Sequence, residues 1–160
     1  MTSISVPRLP AALLESEAFL LGRVRTRLIR RLIDAHSALG LRIGQGPILT
    51  CLDDQGELSQ RQLAQLLDVD PSDLVRHVDE LQAAGFVARR ADPDDRRRNM
   101  LAITAEGQLM RQRYDATIRL VEEAIFGGIA AEDRRTLRRI LRQIATAPEL
   151  ESASGEEGEG

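Results

Sequence analysis

The chain has 160 residues, of which 42% are hydrophobic and 29% charged, and its formal net charge is −3. That length suits one domain with a real core; with 2% aromatics and no tryptophan, the core must be Leu, Ile, Val and Ala, which favours helices packed on helices. One cysteine excludes an internal disulfide, two histidines far apart in sequence argue against a zinc site or any other metal, and no apolar run approaches the roughly 20 residues that span a bilayer.

Residues 1–10 read as a flexible arm with no hydrophobic signal core, so the protein is expected in the cytoplasm. Residues 11–39 read as one long helix, because Leu14, Ala18, Leu21, Val24, Leu28, Leu32, Ala35 and Leu39 recur at threes and fours. Arg23, Arg25, Arg27, Arg30 and Arg31 ride mainly on its outer faces. A helix this long outruns what a small domain needs to cover its own core, so its ends are expected to pack on another chain. Gly40 ends it. Pro47 opens a shorter helix with Ile48, Leu49 and Leu52 inward, ending near Gly56. Cys51 on that helix reads as a buried structural thiol. Ser59 and Gln62 have the spacing of a capping box, and the helix they start carries Leu63, Leu66 and Leu67.

Asp68-Val69-Asp70 is a tight turn into the next helix. Asp70 can cap it, and Pro71 at the first helical position gives up an amide that had no partner anyway. Leu74, Val78 and Leu81 share its inner face, whereas Ser72, Asp73, Val75, Arg76 and Asp79 lie opposite. His77 falls on the inward side, where it reads as a partly buried, hydrogen-bonded histidine. Gly85 stops the helix. Residues 86–90 and Asn99–Ile103 read as strands around a charged turn, Ala91 to Arg98, that ends in three adjacent arginines.

Thr104 caps a helix from Ala105 to about Phe126, with Leu109, Met110, Tyr114, Ile118, Val121 and Ile125 in a stripe. Gly127-Gly128 breaks it. A last helix over residues 132–145 sets Leu137, Ile140, Leu141 and Ile144 inward and Arg134, Arg135, Arg138, Arg139 and Arg142 on a solvated outer face. Residues 148–160 carry five glutamates and no arginine and are expected to be a disordered acidic tail. Those five glutamates outweigh the net charge, so the body before them is mildly basic and any affinity for a polyanion must come from a local patch.

Two short helices joined by so brief a turn, the second amphipathic and polar outside, make a helix-turn-helix. Beside it stands a hairpin with an arginine-rich tip. A helix of this kind fits a major groove, and arginines can reach phosphates or an adjacent minor groove. No Ser/His/Asp set, glycine-rich phosphate loop or pair of inward carboxylates points to an enzyme or a cofactor.

These residues resemble the winged helix-turn-helix of the MarR family of bacterial transcription regulators. The likeness rests on Leu58-Ser59-Gln60 with Leu63-Ala64, on Val69-Asp70-Pro71-Ser72 and on Val75 to Leu81. Above all it rests on Ala84-Gly85-Phe86-Val87-Ala88-Arg89-Arg90, followed by Asp92-Pro93-Asp94-Asp95-Arg96-Arg97 and Ile103-Thr104-Ala105-Glu106-Gly107. It implies a mainly α fold with a small β-hairpin wing, spanning residues 11–147. Residues 47–104 would form the winged lobe, and residues 11–39 with 105–147 the helical base of a homodimer on a palindromic operator. Family members usually repress transcription, and many let go of double-stranded DNA when a small-molecule effector binds. Members that sense oxidants place their cysteine in the first long helix, where this chain has none.

The resemblance assigns DNA contact to Ser59, Gln60, Ser72, Asp73, Val75, Arg76, Arg96, Arg97 and Arg98, and wing support to Asp95. Ser59 and Gln60 would hold phosphates, Ser72 to Arg76 would read the major groove, and the arginine tip would enter the minor groove. The family commonly has Thr where Asp73 and Val75 stand, so an unusual operator is expected. Arg42 stands where the family often caps a helix with Thr, which predicts a weaker start there. Arg76 could instead be a solvated side chain paired with Glu80, one turn on. The alternative function is a dimeric interaction module, or antagonist, that keeps the fold and has lost DNA binding.

Overall fold

The computed structural model of the chain describes residues 8–91 and 99–147. Its elements run α1 (Ala11–Leu14), α2 (Glu17–Ala38), α3 (Gln45–Gln55), β1 (Leu58–Ser59), α4 (Gln60–Leu67), α5 (Pro71–Ala83), β2 (Val87–Ala91), β3 (Asn99–Ile103), α6 (Ala105–Phe126) and α7 (Ala131–Ala145). The three strands form one antiparallel sheet in the order β1-β3-β2. β2 and β3 pair from Val87 opposite Ile103 to Ala91 opposite Asn99, and β1 sets Leu58 opposite Leu101.

The expected first helix is two pieces. Ser16 interrupts it in an extended conformation, and its side chain accepts a hydrogen bond from the Phe19 amide at 3.3 Å, so a new helix starts there. The apolar stripe runs through this break, which is why periodicity alone does not reveal it. β1 is likewise unexpected, because two residues carry no period.

Two compact units divide at Ile125/Phe126. In the first, one core draws on every element of the lobe: Ile48, Leu49 and Leu52 from α3, Leu63 from α4, Leu74, Val78 and Leu81 from α5, Val87 and Leu101 from the sheet, and Met110 from α6. Each aliphatic side chain so buried is worth about 1.5–3 kcal/mol. Leu66 and Leu109, members of the apolar sets of α4 and α6, are exposed, whereas Ala64 and Gly107 are buried. Gly107 admits α6 to the sheet: a Cβ there would lie 2.1 Å from the Phe86 carbonyl oxygen. Gly46 does the same for α3 and α6, since a Cβ there would lie 2.2 Å from the Tyr114 ring.

α2 buries only His36, and leaves Leu20, Leu21, Val24 and Ile33 in solvent. In the second unit α7 buries nothing, so its expected inward set is a correction: Ile140, Leu141 and Ile144 are exposed in the single chain. Among the described residues no helix is long and apolar enough to cross a membrane, and no cluster of His, Cys, Asp and Glu could hold a metal ion.

Candidate nucleic-acid interface

The site is built on two caps and a turn. Ser59 and Gln62 close the expected capping box: the Ser59 hydroxyl accepts from the Gln62 amide at 3.3 Å, and the Gln62 side-chain oxygen accepts from the Ser59 amide at 2.9 Å. The Gln60 side-chain nitrogen, in contrast, is enclosed and has no hydrogen-bond partner. Asp68 then turns the chain by taking the left-handed conformation, φ 49°, at the end of α4. Asp70 caps α5, accepting at 2.7 Å from the Ser72 amide and at 2.5 Å from the Ser72 hydroxyl. These donors hold the Asp70 carboxyl below the ordinary carboxylate range.

Leu74, Val78 and Leu81 anchor the back of α5 in the core, so rotation about its own axis is fixed. Its front is turned outward with Ser72, Asp73, Val75, Arg76 and Asp79 all exposed, including an apolar Val75 at 42%. Arg76 pairs with Asp73, 2.8 Å away, rather than with Glu80. Glu80 is taken up elsewhere: it accepts from the buried Gln45 amide at 2.8 Å and faces the Arg42 guanidinium at 3.2 Å. Gln45 in turn accepts from the Arg42 backbone amide at 2.8 Å. α3 starts at Gln45, two residues before the expected Pro47, and its N-cap is Gly44 rather than Arg42; it has no side-chain cap and is held by this three-residue knot.

The hairpin is tied to α5 and to the rest of the lobe at its root. Arg89 donates to Gln82 at 2.7 Å and to Asp79 at 2.5 Å, both on α5. Arg90, on the other face of β2, reaches Glu57 at 2.9 Å. The tip, with Asp95, Arg96, Arg97 and Arg98, lies outside the described residues. Sequence reading gave Arg89 and Arg90 no contact of their own. No local rule links Arg89 to a carboxylate ten residues earlier, and the sequence around Arg42 signals only a missing cap.

Behind α5, His77 packs against the Gly44 backbone, and its Nδ1 is enclosed without a hydrogen-bond partner, unlike the satisfied histidine expected. His36, which sequence reading did not single out, is buried. Its Nδ1 lies 2.7 Å from the Leu32 carbonyl, its Nε2 is unpartnered, and its ring meets Tyr114 edge-on at 5.4 Å. Burial, with Asp115 and Glu122 nearby, pushes the Tyr114 phenol up, so it stays neutral. Cys51 is half-buried against the core, and burial with the Asp54 charge raises its thiol.

A buried-backed helix presented after a tight turn, flanked by a hairpin, defines a winged helix-turn-helix protein. The MarR family profile matches residues 41–98. The crystal structure of CouR from Rhodococcus jostii RHA1, bound to p-coumaroyl-CoA, is 33% identical and superposes with a TM-score of 0.76 over 89% of this chain and 100% of that one. A MarR-family transcriptional regulator from Rhodococcus sp. RHA1 is 30% identical, with a TM-score of 0.75 over 88% and 97% of the two chains. Among curated relatives, an HTH-type transcriptional repressor of Mycobacterium tuberculosis is 28% identical over 128 residues, 80% of this chain and 92% of that protein. The regulator YdgJ of Bacillus subtilis is 29% identical over 100 residues, which are 61% of this chain and 59% of YdgJ. The chain belongs to the MarR family.

Proposed function

We propose that this chain is a sequence-specific, non-catalytic transcriptional regulator that binds a palindromic operator as a homodimer in the cytoplasm and represses until an effector releases it. One observation carries the reading: α5 is locked into the core by Leu74, Val78 and Leu81 while its polar front stands clear of the protein. Such a helix can enter a major groove, where Ser72, Asp73, Val75 and Arg76 meet base edges and phosphates. Ser59 and Gln60 stand at the N-terminus of α4, where free amides favour a phosphate. The same reading assigns the flanking minor groove to the arginines of the turn, Arg96, Arg97 and Arg98, one of which would pair with Asp95 to hold the turn.

The uncovered apolar residues of α2 and, separately, of α7 support a second copy as their cover, with residues 11–39 and 105–147 as the dimer base. Two recognition helices then meet successive major grooves about 34 Å apart. The named repressor among the relatives supports repression. The p-coumaroyl-CoA in the 33% identical structure makes an aromatic acyl-coenzyme A the first effector class to test.

The experiment is fluorescence anisotropy of a labelled duplex from upstream of the chain's own gene, with unlabelled random duplex as competitor and p-coumaroyl-CoA as titrant. Specific binding that the thioester reverses is expected. A dimer that binds no duplex would leave the interaction-module reading in its place.

A further inference from the structure

We propose that Asp73 and Arg76 read DNA as one unit, so that each operator half-site carries a guanine next to a base with an exposed amino group, cytosine or adenine. This rests on the DNA-binding reading above and adds the base step that it selects.

Four carboxylates belong to α5 or its cap, and two of them, Asp79 and Glu80, are paired with arginines outside the helix. Asp70 is spent on the Ser72 cap, Asp79 on Arg89 of the hairpin, and Glu80 on Arg42 and Gln45. Asp73 differs, since its partner Arg76 is itself on the front, and both side chains are open to solvent, at 62% and 56%. A pair that exposed adds little to stability, so its importance lies in what it leaves unsatisfied. Arg76 spends one terminal N–H on Asp73 and keeps an edge of its fork for a base. Guanine O6 and N7 are the acceptors that match this edge. Asp73 keeps its second oxygen, which can only accept. It is attracted to a cytosine or adenine amino group and repelled by guanine O6 or thymine O4.

The spacing agrees. Three residues advance a helix by about 4.5 Å, comparable to the ~3.4 Å between stacked base pairs. The two side chains therefore address neighbouring pairs. Asp73 also holds the guanidinium in one orientation before DNA arrives, which lowers the ordering cost of the bidentate contact. Its charge disfavours every other sequence, because a carboxylate facing a polyanion without an amino partner is repelled.

The test is selection of binding sites from a randomised duplex library with the full chain as wild type, Asp73→Asn, Asp73→Ala and Arg76→Ala. Wild type should enrich a half-site with guanine beside cytosine or adenine. Asp73→Ala should keep the guanine, lose the preference at its neighbour, and bind random duplex several-fold more tightly. Asp73→Asn, which preserves shape and accepts or donates, should broaden the same position. Arg76→Ala should lose the guanine. Asp73 variants that return the wild-type motif unchanged would overturn the inference while the DNA-binding reading stands, as would a wild-type motif without that step. A folded wild-type dimer that enriches no sequence would overturn both.

Discussion

Asp79 on α5 and Arg89 on β2 are joined at 2.5 Å, with Gln82 taking a second guanidinium nitrogen at 2.7 Å. The hairpin is thereby aligned on the helix it flanks, and a carboxylate of that helix is neutralised from outside it. Arg89→Gln should cost little stability, at most about 1 kcal/mol for a solvent-facing pair. It should weaken DNA binding about threefold to tenfold, equivalent to at most ~1.4 kcal/mol, because Asp79 then faces phosphate alone. Adding Asp79→Asn should restore most of the loss, as a coupled pair requires. Anisotropy titrations and urea melts on the three variants check this. A double variant no better than Arg89→Gln would mean that Arg89 touches DNA itself.

Tyr114 fills the space that a side chain at position 46 would need: a Cβ there would lie 2.2 Å from its ring. Gly46→Ala should destabilise the lobe by about 1–3 kcal/mol through overpacking. In a Tyr114→Ala background the same substitution should cost far less. Equal losses in both backgrounds, measured by urea unfolding, would place the cost in the helix and not in the ring contact.

The Asp70 cap gives a pH signature. Hydrogen bonds from Ser72 lower the folded carboxyl below its unfolded value. The stability it contributes is therefore present above the unfolded value and is lost as pH falls through the folded one. The difference in unfolding free energy between wild type and Asp70→Asn should be level from pH 8 to about pH 5, and should then shift in favour of the variant below about pH 4. Melts at pH 7, 5 and 3 measure it, and a constant difference would remove the ionised cap from the account.

Cys51 should be a slow nucleophile. Burial and the Asp54 charge raise its thiol above the ordinary value, so the thiolate fraction near neutral pH is small. Iodoacetamide at pH 7.5 should alkylate it many-fold more slowly in the native protein than in urea. Native labelling as fast as that of the unfolded chain would contradict the shielding.

The local grammar of this fold was legible from residues alone. Ser59 with Gln62, Asp70 with Pro71, and Thr104 ahead of Gly107 mark starts whose partners lie within three positions, and these caps are in place. What escaped was set by tertiary packing. The Glu80 knot joins residues 35 positions apart, and nothing in periodicity favours Arg42 over Arg76 as its counter-ion. Ser16 escaped because apolar spacing continues across it. The apolar spacing of α2 and α7 does not say how much of each face the chain covers by itself, because a face that a second copy would cover has the same pattern as one covered within the chain. At the candidate interface the outward exposure of Ser72, Asp73, Val75, Arg76 and Asp79 follows from helical spacing, whereas the burial of the Gln60 nitrogen depends on side-chain placement that sequence does not encode.

Sheet and α6 are joined through one residue. Thr104 donates its hydroxyl to the Gly85 carbonyl at 2.7 Å and its amide to the Phe86 carbonyl at 3.0 Å, and accepts from the Gly107 amide at 3.0 Å, with no room for a Cβ at Gly107. The helix and the hairpin root are thus welded into a crank. With 22 residues, α6 reaches about 33 Å from that weld. A displacement of a few ångströms at its distant end would swing the hairpin by several degrees, without any chain of intermediate side chains to carry the message.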